Sequence, residues 1–182
     1  MPAVLSNLAL ESIAESDVDL PEQEVDMLPA IDARAFRNAM GQFATGVVVI
    51  STEVDGDAHA MTANAFMSGS LEPPLILVSV AHTARMCERI QTSRRFAVSI
   101  LHAGQQAVSN YFAGKPDDAS VPAFARLDAL PVVADAIVQV ATHLEHSYLC
   151  GDHTLFVGRV TALRQDEKSV SPLIFHNGRY PT

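Results

Sequence analysis

Positive charge is scarce in this chain: 12 lysines and arginines stand against 21 aspartates and glutamates in 182 residues, a formal net charge of −9. That balance excludes a broad surface for nucleic acid or anionic lipid, because both need clustered cations. Long hydrophobic runs are missing too; the longest apolar strings are strand-sized and fall short of a membrane span. No lysine or arginine precedes Arg34, so the charged start of a secretory signal is not expected. Cysteine is confined to Cys87 and Cys150, too few for a disulfide framework, and a reducing cytoplasmic setting is the expectation. Signature loops are also lacking. There is no G-x-S-x-G elbow, no phosphate-binding P-loop, no H-E-x-x-H helix and no G-x-G-x-x-G. Hydrolase and Rossmann dehydrogenase readings therefore have no support. An obvious acid–base pair is absent as well, which suits a redox cofactor, since such a group needs few protein catalysts.

With 48% apolar and 18% charged residues, the chain has the composition of one globular domain able to bury a full core. Residues 1–30 are different: seven acidic residues and no basic one predict an acidic, mobile arm, with the folded domain at 31–182. Leu5, Leu8 and Ile13 fall near helical spacing, which leaves an amphipathic segment docked on a neighbouring subunit as the alternative. Asp32 is expected to cap a helix carrying Phe36, Met40 and Phe43 on one side. Val47–Ile50 predicts a strand, Asp55-Gly56 a hairpin turn, and His59–Phe66 the returning strand. Leu75–Val80 is the next strand, after Pro73-Pro74. Thr83 is expected to cap a helix running to about Ser93, with Met86 and Ile90 on one face. A strand at Phe96–Leu101 and a short helix at Gln105–Phe112 follow, then mostly loop over 113–131. Two long strands, Ala136–Tyr148 and His153–Leu163, turn at Gly151-Asp152, and Leu173–His176 closes the list. Strands and hairpins dominate, which predicts a closed or nearly closed antiparallel barrel with peripheral helices.

One strand is built oddly. Strands fill their inward face with bulky side chains, yet the run from Ala58 through Leu75 carries Thr62, Ala63, Asn64, Ala65, Ser68, Gly69 and Ser70. Either this is a tightly packed edge, or the small residues leave room for a flat ligand that takes hydrogen bonds from the backbone. His143 and His146 invite a metal reading, but a spacing of three in a strand sends them to opposite faces, so no metal site is expected. Cys87 and Cys150 lack a CxxC partner and read as small apolar fillers. The run Gly151–Gly158 places His153 at the start of a strand, close to a barrel rim, where it either follows a simple turn or donates to a ligand. Arg85, Arg94 and Arg95 lie near helix ends and could meet phosphate.

Three segments, Phe36–Val47, His59–Ser68 with Leu71–Ser79, and Gly151–Gly158, in this order and spacing resemble the short-chain flavin reductase family. Its members include the reductase components of two-component flavin-dependent monooxygenases acting on phenols and 4-hydroxyphenylacetate. The similarity runs from about residue 32 to 180. It implies a mainly β fold, an antiparallel, Greek-key, FMN-binding split β-barrel with peripheral helices, usually as a homodimer. It implies FAD or FMN as the flavin, NADH (or NADPH) as the reductant, and a separate oxygenase component as the recipient of reduced flavin. Flavin contacts would fall on Ala58, His59, Ala60, Met61, Thr62, Asn64, Ala65, Ser79, Val80, Ala81, Arg85, Met86, Tyr111 and Phe112, with Arg85 at a phosphate. His153, Arg179 and Tyr180 would lie beside the nicotinamide, and no acid–base residue is required. A flavin- or haem-binding split-barrel protein without turnover is the alternative. The chain departs from family habit at Ala60, where Gly is common, at Gly69, where a branched residue is usual, and at Tyr111, where a polar residue often sits.

Overall fold

A computed structural model describes residues 30–115, 121–166 and 170–181. The expected acidic arm and its amphipathic alternative thus lie outside the described residues, Ala30 excepted. The chain divides into two compact units, 1–36 and 37–182. In the first, the Asp32 carboxylate accepts from the Ala35 amide at 2.8 Å, the N-cap bond that its sequence position predicts. Helix α1 spans Ala33–Met40 and buries none of its residues; Phe36, Met40 and Phe43 are all exposed rather than packed.

The second unit is built on seven strands: β2 (Val48–Val54), β3 (Asp57–Ala63), β4 (Phe66–Leu71), β5 (Pro74–Ala81), β6 (Arg95–Ile100), β9 (Val138–Cys150) and β10 (His153–Gln165). Short strands β1 (Thr45–Gly46) and β11 (Ile174–Phe175) pair with each other, as do β7 (Phe124–Leu127) and β8 (Leu130–Val133). The large sheet runs β3-β2-β6-β9-β10-β5-β4. Its two edge strands, β3 and β4, are consecutive in the chain and joined only by Asn64 and Ala65. A flat sheet would hold those edges about 29 Å apart, whereas a two-residue link spans roughly 10 Å. The sheet must therefore curl until its edges nearly meet, and the barrel's seam lies at Asn64-Ala65. The predicted single strand His59–Phe66 is broken there.

Alternation on β2 sorts the core. Val48 and Ile50 face the interior with Ile76, Val78, Val80, Phe96, Val98 and Phe156. Helix α2 (Arg85–Ser93) plugs that interior with Met86, Cys87 and Ile90. Val47 and Val49 face outward, under helix α3 (Gln106–Phe112) and the C-terminal segment, with Leu101 and Leu173. Both faces are covered here, which is why the run Val47–Ile50 is apolar without a break.

Three local expectations are corrected. Ala84, not Thr83, is the N-cap of α2, and no side chain bonds there. The predicted loop 113–131 contains the β7–β8 hairpin, turned by Asp128 and Ala129 at positive φ, without the glycine that marks such turns. Pro131 is tolerated because β8 is paired only with β7, and the Pro131 carbonyl accepts from the Ser51 hydroxyl at 2.5 Å. In β9 the register slips by one residue at Glu145, so His143 stands opposite Arg159 and His146 opposite Val157. That bulge returns the two histidines to one face, contrary to the alternation expected of a regular strand.

Candidate functional site

Strand β3 has a neighbour on one side only, β2. The residues flanking a two-residue hairpin turn form a hydrogen-bonded pair, here Val54 with Asp57. From that start, Asp57, His59, Met61 and Ala63 spend their backbone groups on β2. The N–H and C=O of Ala58, Ala60 and Thr62 point to the free edge. These same three residues turn their side chains outward, for Ala60 joins the outer cluster and Thr62 meets α3, while Met61 and Ala63 pack inward. Small side chains, an unpaired edge and outward placement coincide. A flat group with hydrogen-bonding edges fits such a strand; a bulky side chain at Ala58 or Ala60 would cover it.

The other side of the seam is built similarly. Ser79 donates its amide to the Ala65 carbonyl at 3.1 Å, and β4 pairs with β5 no further than Val78. The last residues of β5 therefore overhang β4. Val80 is fully buried, which places Ser79 and Ala81 on the outer face together with His153, the cross-strand partner of Ala81. His153 Nδ1 lies 2.7 Å from the Asp152 carboxylate, and this contact holds the Asp152 carboxyl below its ordinary range.

A cavity of about 450 Å³ opens at the Thr62 end of β3. Thr62, Asn64, Arg179 and Tyr180 line it, joined by Gln106, Asn110 and Lys115. The Thr62 hydroxyl donates to the Ser109 carbonyl at 2.7 Å, and the Ser109 hydroxyl lies 2.8 Å from the Tyr180 hydroxyl. One polar chain thus ties the edge strand, α3 and the C-terminal segment. The Tyr180 ring rests on Phe175, centroids 5.3 Å apart.

At the Asp57 end a second cavity of about 430 Å³ holds Arg85 and Arg89 together with Asp55, Asp57 and Glu88. Arg89 donates to both the Asp57 carbonyl and its carboxylate, which lowers the Asp57 carboxyl below its usual range. His59 lies half-buried close by. Burial first, then the Arg89 and Arg85 charges, hold its imidazole below the ordinary value and so neutral at pH 7.

The expected site residues therefore separate into groups. Thr62, Asn64, Arg179 and Tyr180 share one cavity, Arg85 belongs to the other, and His153 lines neither. Val80 and Met86 are wholly buried in the barrel core, and neither presents an atom to solvent. Tyr111 meets Phe112 edge-on, and Phe112 packs on Phe124 and the outer core. Gly69 stands at a bulge in β4, where an added Cβ would lie 2.2 Å from Leu77 Cδ1; the Leu77 side chain fills the space of the branched residue expected there. Sequence reasoning missed Gln106, Asn110, Lys115 and Arg89. Arg94 is the left-handed C-cap of α2, and Arg95 is bound to Asp128 at 2.5 Å, so Arg95 is not a free phosphate ligand.

Among the described residues, no helix is long and apolar enough to cross a membrane. Residues 40–182 match the flavin reductase like domain. An NADH-dependent flavin reductase of Rhodococcus sp. is 37% identical over 164 residues, which cover 88% of this chain and 92% of that protein. The reductase component of 4-hydroxyphenylacetate 3-monooxygenase from Thermus thermophilus is 35% identical over 144 residues, 79% of this chain and 93% of that one. Among solved structures, flavin reductase PheA2 in its native state aligns with a TM-score of 0.79 at 48% identity, covering 83% of this chain and 97% of that one.

Proposed function

The chain belongs to the flavin reductase like family, and on that premise we propose that it is an NADH-dependent flavin oxidoreductase whose flavin lies along the free edge of β3. The observation that carries this reading is the coincidence, on Ala58, Ala60 and Thr62, of unpaired backbone groups, small side chains and an outward face. Residues at that edge fit a flavin ring: the backbone supplies donors and acceptors, and alanine methyls leave room for the plane. Asn64 and Ala65 extend the contact across the seam, and Ser79 and Ala81 line its far side. A flavin bound there would supply the acceptor chemistry for a hydride from the reduced nicotinamide. The chain's own task is proximity and alignment within a shaped site rather than proton transfer. His153, held by Asp152, orients the nicotinamide end, with Arg179 and Tyr180 on the other flank; Arg85 meets the flavin's phosphate. Val80 and Met86 act from the core, as packing beneath the site.

Reduced flavin passes to a separate oxygenase, a reading supported by the Thermus relative, which is named the reductase component of a 4-hydroxyphenylacetate 3-monooxygenase. The protein acts in the cytoplasm, which its two free cysteines suit, and as a homodimer. Exposed Phe43, Met67, Leu71 and Leu149 are the apolar surface a second copy would cover; sedimentation at equilibrium distinguishes one copy from two. The decisive assay mixes purified protein with NADH and excess FAD or FMN under air and follows NADH absorbance. Steady loss with either flavin is expected. Flavin binding without any NADH loss leaves the non-catalytic reading in its place.

A further inference from the structure

We propose that Lys115 and Arg179 form a diphosphate-binding half-site in the cavity at the Thr62 end of β3, so that the diphosphate bridge of a dinucleotide lies between the end of α3 and the C-terminal turn. This rests on the reductase reading, and it adds Lys115, with the neighbouring amides, to the site.

Charge is the first argument. The described lining of this cavity holds two cations, Lys115 and Arg179, three side-chain amides, Asn64, Gln106 and Asn110, and no carboxylate. In a chain with 21 acidic residues against 12 basic ones, that is a local reversal of sign. Four of the ten described arginines are ion-paired: Arg89 with Asp57, Arg95 with Asp128, Arg126 with Glu53 and Arg159 with Glu145. Neither Lys115 nor Arg179 has an ion pair among the described residues. Two like charges facing one space repel unless an anion comes between them. A diphosphate brings two negative charges and several acceptor oxygens, which match two cations and three amides.

Anchoring is the second. Helix α3 ends with Gly114 at φ 74°, its amide donating to the Tyr111 carbonyl at 3.1 Å, and the Lys115 amide donating to the Asn110 carbonyl at 2.9 Å. That is a Schellman termination, and it fixes Lys115 beside Asn110, itself a lining residue. Across the cavity, Asn177 and Gly178 turn the chain at positive φ, and His176 and Arg179 exchange both backbone bonds at 2.9 and 3.1 Å. The Asn177 amide also donates to the Gly41 carbonyl at 2.7 Å. Both cations therefore hang from backbone that is already set before a ligand arrives, which limits the ordering cost of binding. A lysine after a helix C-terminus also suits the helix dipole, but that role alone predicts no effect on any ligand.

The test is equilibrium binding of FAD, FMN and NADH to the wild-type protein, Lys115→Gln and Lys115→Arg, each first shown to melt like the wild type. Lys115→Gln is expected to weaken at least one dinucleotide by about tenfold and to flatten its salt dependence. FMN, which has no diphosphate bridge, stays within about twofold of wild type, and Lys115→Arg recovers most of the loss. A loss confined to NADH assigns the diphosphate to the nicotinamide dinucleotide; a loss confined to FAD assigns it to the flavin and moves the flavin's phosphate from Arg85, at the other end of β3, into this cavity. Unchanged binding of both dinucleotides, or an equal loss of FMN, overturns the half-site while the reductase reading stands. If the wild type neither binds flavin nor oxidises NADH, that reading fails. Inorganic diphosphate then decides the half-site alone, which stands if binding is weaker in Lys115→Gln and falls if it is not.

Discussion

The two ends of strand β3 open into cavities of nearly equal size, about 450 and 430 Å³, and each presents two cations. They are nonetheless opposite in what they offer a ligand. At the Thr62 end, Lys115 and Arg179 stand among amides, with no carboxylate in the described lining. At the Asp57 end, Arg85 and Arg89 share their space with Asp55, Asp57 and Glu88, and Arg89 is spent on Asp57. The number of cations is therefore a poor guide to a site; what neutralises them decides the local field. An anion entering at the Asp57 end competes with carboxylates already in place. One entering at the Thr62 end meets charge that nothing described has compensated.

The largest expected effect comes from a lesion that should not distinguish the ends. Gly158 sits on β10 where an added Cβ would lie 2.6 Å from Phe96 Cζ and 2.8 Å from Thr142 Cβ. Gly158→Ala therefore overpacks the barrel core and is expected to cost about 1–3 kcal/mol of stability, read as a lower urea midpoint. Ligand affinities well below the transition should stay level at both ends. A selective loss at one end would show that the barrel is not a common rigid frame. Next is Ser109→Ala, which removes the hydroxyl beside Tyr180. About 1 kcal/mol of stability should go with it, along with a raised KM for NADH at unchanged FMN affinity. Smaller still is Asp57→Asn, which releases Arg89 at the mixed end. FMN should then bind more tightly by a factor of about two to three, with steeper salt dependence, whereas affinities set at the Lys115 end stay put.

Much of this frame is legible in the residues. Val47–Ile50, Leu75–Val80 and Asp55-Gly56 carry β-branched runs and a turn dipeptide, and strands β2, β5 and the β2–β3 hairpin form there. The β7–β8 hairpin is hidden because Asp128-Ala129 reaches positive φ without glycine, and because Pro131 reads as loop until its one-sided pairing is known. The small-residue run singles out the edge of β3 from the sequence, and Thr62, Asn64, Arg179 and Tyr180 line one cavity. Val80 and Met86 could have been set aside from pattern alone. Val80 alternates with Ile76 and Val78, and Met86 shares a helical face with Ile90, and all five are core. Lys115 and Asn110 carry no such signal. Their meeting depends on a helix termination and on a C-terminal turn that folds back from far along the chain, and only Gly114 hints at the first.

The smallest effect is also the sharpest contrast between the ends. His59 is held below the ordinary histidine value by burial first, then by Arg89 and Arg85, with Asp57 opposing. Its unfolded form takes up a proton near pH 6.5, its folded form only at lower pH. Between those two points the unfolded chain binds more protons, so the contribution of a neutral His59 is complete above about pH 6.5 and shrinks as the pH falls toward the folded midpoint. Asp57 acts lower on the scale. Its carboxyl titrates below its ordinary value, so its contribution holds above that value and is lost as the pH falls through the folded midpoint. In a proton NMR titration, Arg89→Gln should raise the His59 midpoint without restoring the ordinary value, because burial remains the larger cause. Full restoration would make charge, not burial, the main influence. No movement would place Arg89 beyond electrostatic reach. Lys115→Gln, at the far end of the same strand, should leave the midpoint where it was, since screening confines each cation to its own cavity.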